Sequence, residues 1–153
     1  AIEKVEKSEY FVFVASDGTE FSNHDECKKY EESALGVLMA KIKPLVNNEL
    51  TEEDLFGFGS CDSTIWVIKP HTQDDADTIL QTYLLINPHM KDDNCAHYVE
   101  RAKKLIQRAL DEGDILFVGR GYDMESFWFV GTRNSMKEQL DSFLPSEKKD
   151  ENA

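Results

Sequence analysis

No apolar run in this chain is longer than a β-strand. The longest, such as Tyr10 to Ala15 and Ser126 to Val130, are strand-sized. A membrane-spanning helix needs roughly 18 or more apolar residues in a row. The chain must therefore bury its hydrophobic side chains by packing short strands and amphipathic helices on one another. At 153 residues it is long enough to do so, since a chain of that size buries roughly 70% of its unfolded surface.

The spacing of the apolar residues sets the element order. Tyr10 to Ala15, aromatic and β-branched, predicts a first strand. Asp17-Gly18 predicts a turn, with Thr19 to Phe21 pairing back. Cys27, Tyr30, Ala34, Val37, Leu38 and Ile42 recur at helical spacing, which predicts one helix capped by Ser22 and stopped before Pro44. Pro44 to Ser63 reads as irregular, apart from a helical turn at Leu50 to Leu55. Thr64 to Lys69 is the next strand, and Thr72 caps a helix that buries Ala76, Ile79, Leu80, Tyr83 and Leu84 and ends at Asn87-Pro88. A third helix starts at Asp92 to Asn94, carries Tyr98, Val99, Ala102, Leu105, Ile106, Ala109 and Leu110 on one face, and stops at Gly113. Ile115 to Val118 and Ser126 to Val130 form a hairpin around Gly119 to Glu125. In Phe127-Trp128-Phe129, alternation puts Trp128 on the opposite face from its neighbours. A last helix, with a capping box at Ser135 and Glu138, buries Met136, Leu140, Phe143 and Leu144 and stops at Pro145.

The resulting order, β-α-β-α-α-β-β-α, predicts an α+β fold. It is a small antiparallel or mixed sheet of about four strands with helices mainly on one face; a two-sided α/β sandwich is the alternative. Residues 1–145 are expected to form a single globular domain and 146–153 a polar tail. Ala1 to Lys7 alternates charge and has no apolar segment, so no secretory signal is expected. Three widely spaced cysteines, Cys27, Cys61 and Cys95, without a CxxC pair, point away from a disulfide framework and toward a reducing, cytoplasmic setting.

The net charge of −13 narrows the partners. Phosphate backbones repel such a chain, so direct nucleic-acid binding is not expected. The charge is also uneven. Between Glu49 and Asp93 ten acids face only Lys69 and Lys91. Glu52, Glu53 and Asp54 cluster in one short turn. Asp74, Asp75 and Asp77 cluster at a helix start, where the dipole already favours them. The first cluster has the weaker structural excuse and is the stronger candidate for contact with a basic protein.

Other candidates fare less well. His89, Asp92, Asp93, Cys95 and His97 are metal-ligand types but lack ligand spacing, and the acids suit a helix N-terminus. No metal and no cofactor is expected. Cys61 and Cys95 sit among acids, which raise a thiol pKa and disfavour a nucleophile, so no catalytic residue is assigned. Gly119-Arg120-Gly121-Tyr122-Asp123 is glycine-rich, but it lacks the GxxxxGK[ST] pattern and precedes a strand instead of a helix. Arg120 and Tyr122 at the tip of that loop are residue types that anchor binding surfaces.

Phe13-Val14-Ala15-Ser16-Asp17-Gly18-Thr19-Glu20-Phe21, followed by Glu26-Cys27-Lys28-Lys29-Tyr30-Glu31, resembles the opening of small phage and mobile-element proteins, a strand, a DGxxF turn and an ECxxYE-type helix. The resemblance covers about the first fifth of the chain. It implies a viral or mobile-element origin and transfers no activity. The leading expectation is a non-enzymatic phage-type accessory protein, an acidic inhibitor of a host defence or nucleic-acid-binding protein, in the host cytoplasm. The first alternative is a small-molecule or nucleotide-signal binding protein, or an enzyme on such a ligand. It would use the Gly119 to Glu125 loop with Arg120 as anion anchor. The second is a phage structural or assembly component.

Overall fold

The computed structural model describes residues 1–7, 10–51, 54, 63–121 and 126–145. The α+β class holds, with two antiparallel sheets in place of one. The N-terminal sheet contains β1 (Glu3–Lys7), β2 (Tyr10–Val14) and β3 (Glu20–Phe21), in that order. The second sheet has the order β4 (Val46–Leu50), β5 (Ser63–Ile68), β6 (Leu116–Gly121) and β7 (Phe127–Thr132). The helices are α1 (His24–Glu32), α2 (Ala34–Ile42), α3 (Gln73–Ile86), α4 (Ala96–Glu112) and α5 (Arg133–Ser142). Among the described residues no helix is long and apolar enough to cross a membrane.

Period-two alternation divides the four-stranded sheet into a core face and an outer face. Trp66 and Ile68 of β5, Leu116 and Val118 of β6, and Phe127 and Phe129 of β7 point inward. They join one cluster with Met39 and Ile42 of α2, Ala76, Ile79 and Tyr83 of α3, and Ala102, Ile106 and Ala109 of α4. Helices therefore cover one face, as expected. Trp66 and Tyr83 are both core residues. Trp128 turns outward and is 39% exposed. Its indole lies on Gly119, directly opposite in the register, where a Cβ would come within 1.9 Å of the ring.

The expected single helix over 22–42 is two. Asn23, not Ser22, caps α1, accepting from the N–H groups of Asp25 and Glu26. Ser33 breaks the run. Its backbone is extended (φ −70°, ψ 156°), and its hydroxyl accepts from Gly36 N–H at 3.0 Å and donates to the Tyr30 carbonyl at 2.6 Å. One side chain thus ends α1 and starts α2. Thr72 caps α3 as expected, in a full capping box with Asp75.

The last helix departs most from expectation. Thr132 caps it, with Ser135 as the box partner. Glu138 instead bonds Arg108 at 2.6 Å. The helix start is tied by polar contacts: the buried carboxylate of Asp114 accepts from Asn134 N–H at 2.8 Å and lies 3.3 Å from Arg133 Nε. These contacts set the helix direction and leave Leu140, Phe143 and Leu144, expected in the core, well exposed.

Candidate functional site

Among the described residues, no helix closes the core face of the four-stranded sheet at its β4–β5–β6 end. There the β2–β3 turn comes over it, and a polar cleft of about 490 Å³ lies between them. The turn supplies Asp17, Gly18, Thr19 and Glu20. The sheet supplies Glu49, Ser63, Thr64 and Arg120, and Lys43 enters from the end of α2.

The turn wall is built from Asp17. Its carboxylate is buried, accepting from Thr19 N–H at 2.9 Å and from the Tyr30 hydroxyl of α1 at 2.5 Å. Gly18 has φ +90°, a conformation that side-chain-bearing residues rarely adopt. The Tyr30 hydroxyl is pushed far above the ordinary phenol range, first by burial and then by its bond to the Asp17 carboxylate. It stays protonated as a fixed donor, so Asp17 and Tyr30 act as a strut joining the turn to α1.

The sheet wall centres on Arg120. Its guanidinium carbon lies 4.5 Å from the centroid of the Trp66 ring, within cation–π range. Its Nη1 is 3.9 Å from a Glu49 oxygen, beyond hydrogen-bond length. Lys43 Nζ lies 5.7 Å from the same ring and has no ion pair among the described residues. Two buried donors of this stack, Arg120 Nε and Trp66 Nε1, have no acceptor among the described residues. Unmet donors of this kind are rare in native interiors and need an explanation.

Arg120 is thus not at a loop tip. It is paired inside β6, opposite Thr64 on one side and Phe127 on the other. Gly119 and Gly121 belong to the strand too: Gly119 seats the Trp128 ring and Gly121 lies against Ser126. Tyr122, and with it the rest of the Gly119 to Glu125 loop, lies outside the described residues.

Glu52 and Glu53 also lie outside the described residues. Asp54 accepts from the N–H and hydroxyl of Thr51 at 2.8 and 3.1 Å. Asp75 accepts from His71 and Thr72 N–H at 2.8 and 3.0 Å, completing the α3 cap. Asp77 accepts from Gln73 and lines a groove between α3 and α4, while Asp74 is exposed. None of these four lines the cleft, whose carboxylates among the described residues are Asp17, Glu20 and Glu49.

Cys27 is fully buried in α1, and its thiol pKa is raised by burial and then by Glu31 and Asp17. Cys95 is half-buried at the start of α4, and Cys61 is outside the described residues. His89, Asp92, Asp93, Cys95 and His97 spread over two 3-10 turns and the first turn of α4. Among the described residues no three His, Cys, Asp or Glu side chains are placed to share a metal ion.

The chain matches no family model, no curated protein and no solved structure.

Proposed function

We propose that this protein binds a small molecule through an anionic group, seated in the cleft at Arg120. The observation that carries the reading is Arg120, stacked on Trp66 and held only at 3.9 Å by Glu49 among the described residues, in the wall of a polar cleft of ligand size. A carboxylate or phosphate oxygen in the cleft would meet the Arg120 guanidinium, whose one ionic neighbour among the described residues, Glu49, lies beyond hydrogen-bond length. Asp17 and Tyr30 would hold the opposite wall, and Lys43 would add charge.

The test uses Trp66 as reporter. The chain has two tryptophans, so Trp128→Phe leaves Trp66 as the sole indole. Titration with carboxylates, phosphates and mononucleotides should give a saturable change in Trp66 emission and a higher melting temperature. Arg120→Gln should abolish both. A panel that leaves the parent unmoved, or moves Arg120→Gln equally, would remove the basis of the reading.

A second reading keeps the acidic accessory role, with its phage or mobile-element origin. Supporting it, Asp74, Asp77, Asp92 and Asp93 are exposed and form no ion pair among the described residues. Such a surface can steer toward a basic groove. Salt-sensitive retention of a basic partner by the parent, lost in the fourfold Asp→Asn variant, would support it; equal retention by both would sink it.

A further inference from the structure

We infer that the ligand of this cleft is a zwitterion, an α-amino acid or a molecule that ends like one. This rests on the reading of the cleft as a small-molecule site. The charges on its walls decide the class. Asp17 is engaged by Tyr30 and Thr19, and Glu20 pairs with Lys7 at 3.3 Å. Glu49 differs. Its side chain is 40% exposed, and its one ionic neighbour among the described residues is Arg120, at a distance too long for a hydrogen bond.

Arg120 and Glu49 therefore stand side by side, opposite in sign, each with hydrogen-bonding capacity to spare. A bare anion on Arg120 would gain from Lys43, but it would sit beside the Glu49 carboxylate, be repelled by it and leave that acid without a partner. An α-amino acid carries its carboxylate and its ammonium on one carbon. It can place the first on Arg120 and the second on Glu49, so that both wall charges gain a partner. The Arg120 guanidinium, which is donor-only, suits the carboxylate end, which is acceptor-only. The cleft volume leaves room for a side chain along the wall that carries Thr64.

The experiment titrates the Trp128→Phe protein with each of the standard α-amino acids, following Trp66 emission and calorimetry. For the tightest one, the matched 2-hydroxy acid and the decarboxylated amine are then compared, with inorganic phosphate alongside. The hydroxy acid lacks the ammonium and is expected to bind roughly tenfold to a hundredfold more weakly. Glu49→Gln should weaken the amino acid and, by removing the like charge, tighten the hydroxy acid, so that the two bind about equally. Arg120→Gln should abolish both; Arg120→Lys, which keeps the charge, guards against a folding defect. Binding of phosphate or the hydroxy acid as tightly as the amino acid, with dependence on Arg120, overturns the zwitterion and leaves the cleft standing. Undiminished amino-acid binding by Glu49→Gln overturns it as well. Silence of Trp66 across every probe overturns both the ligand and the site.

Discussion

Gly36→Ala sets two opposing effects against each other, and the geometry decides the sign. Gly36 lies in the first turn of α2, where helix propensity alone favours alanine by up to about 1 kcal/mol. An added Cβ, however, would sit 1.9 Å from the Tyr30 carbonyl oxygen and 2.8 Å from its carbon. Ordinary contact begins near 3.4 Å, so the two backbones would have to part by roughly 1.5 Å, far up the repulsive wall. The obstacle cannot rotate away. That oxygen is fixed as the acceptor of both the Ser33 hydroxyl and the Ser33 N–H. Overpacking costs typically about 1–3 kcal/mol, and a backbone obstacle puts this site at the upper end. After the propensity gain, a net loss of about 2 kcal/mol remains. For a chain of this length that lowers the melting temperature by roughly 4–8 °C. Gly113→Ala is the comparison. Gly113 has φ +60°, and a Cβ added there would have no described atom within 4 Å, so that change carries only the left-handed backbone penalty of about 1 kcal/mol. Thermal melts of the two variants beside the parent test the ordering. A Gly36→Ala protein that melts at or above the parent, or higher than Gly113→Ala, would refute the close-approach argument.

Tyr83→Ala removes a core ring that packs edge-on to Phe129 at 5.0 Å and should cost roughly 3–5 kcal/mol, read by urea melts; an unshifted midpoint would contradict the packing. The Glu31 carboxyl is held below its ordinary 4.5, first by the Ser16 hydroxyl and then by the Ser16 N–H. Its contribution is therefore fully present above pH 4.5 and is lost as pH falls through the lower folded value. Glu31→Gln should flatten that part of the melting-temperature profile, and an unchanged acid limb would count against it. Arg101 donates to the Phe129 and Val130 carbonyls at 3.1 and 3.3 Å, guarding the free edge of β7. Arg101→Ala should raise the mass seen by light scattering at a given concentration, and an unchanged mass would argue that the edge needs no such guard.

Where an element buries its own apolar stripe, the sequence was readable. The α3 face, the β6–β7 hairpin, the outward turn of Trp128 and the α4 face follow from local periodicity, except that Tyr98, expected on the buried face of α4, is exposed in its first turn. Elements that depend on a neighbour were not readable. β1 (EKVEK) has one apolar residue and becomes a strand by pairing with β2 from Glu3↔Val14 to Lys7↔Tyr10. β4 (VNNEL) contains two asparagines, which strands disfavour. It forms an edge against β5, with a slip in register between Val46 and Asn48. The break at Ser33 was hidden because the apolar spacing continues across it from Tyr30 to Ala34. Only the serine, as a potential cap, and the nearby glycine marked the place.

The cleft shows the same division. One signal for it was local: Leu116, Val118 and Arg120 alternate, so any strand through them places Arg120 on the core face with two buried aliphatics. A charged residue on a buried face calls for a partner, and that was available without coordinates. Its actual surroundings were not. Trp66, Glu49, Lys43 and the Asp17 turn meet Arg120 only through sheet register and the end of α2, across separations that no window along the chain can span. Net charge misleads here for a related reason. The total of −13 is a sum over a surface on which most charges are exposed and screened within about 8 Å at physiological salt. Inside the cleft the potential is set by what lies within that distance. There, two cations face three carboxylates among the described residues, of which Asp17 and Glu20 are already engaged. An acidic chain can in this way keep a local place for a carboxylate, provided the ligand also brings a positive charge to the remaining acid, Glu49.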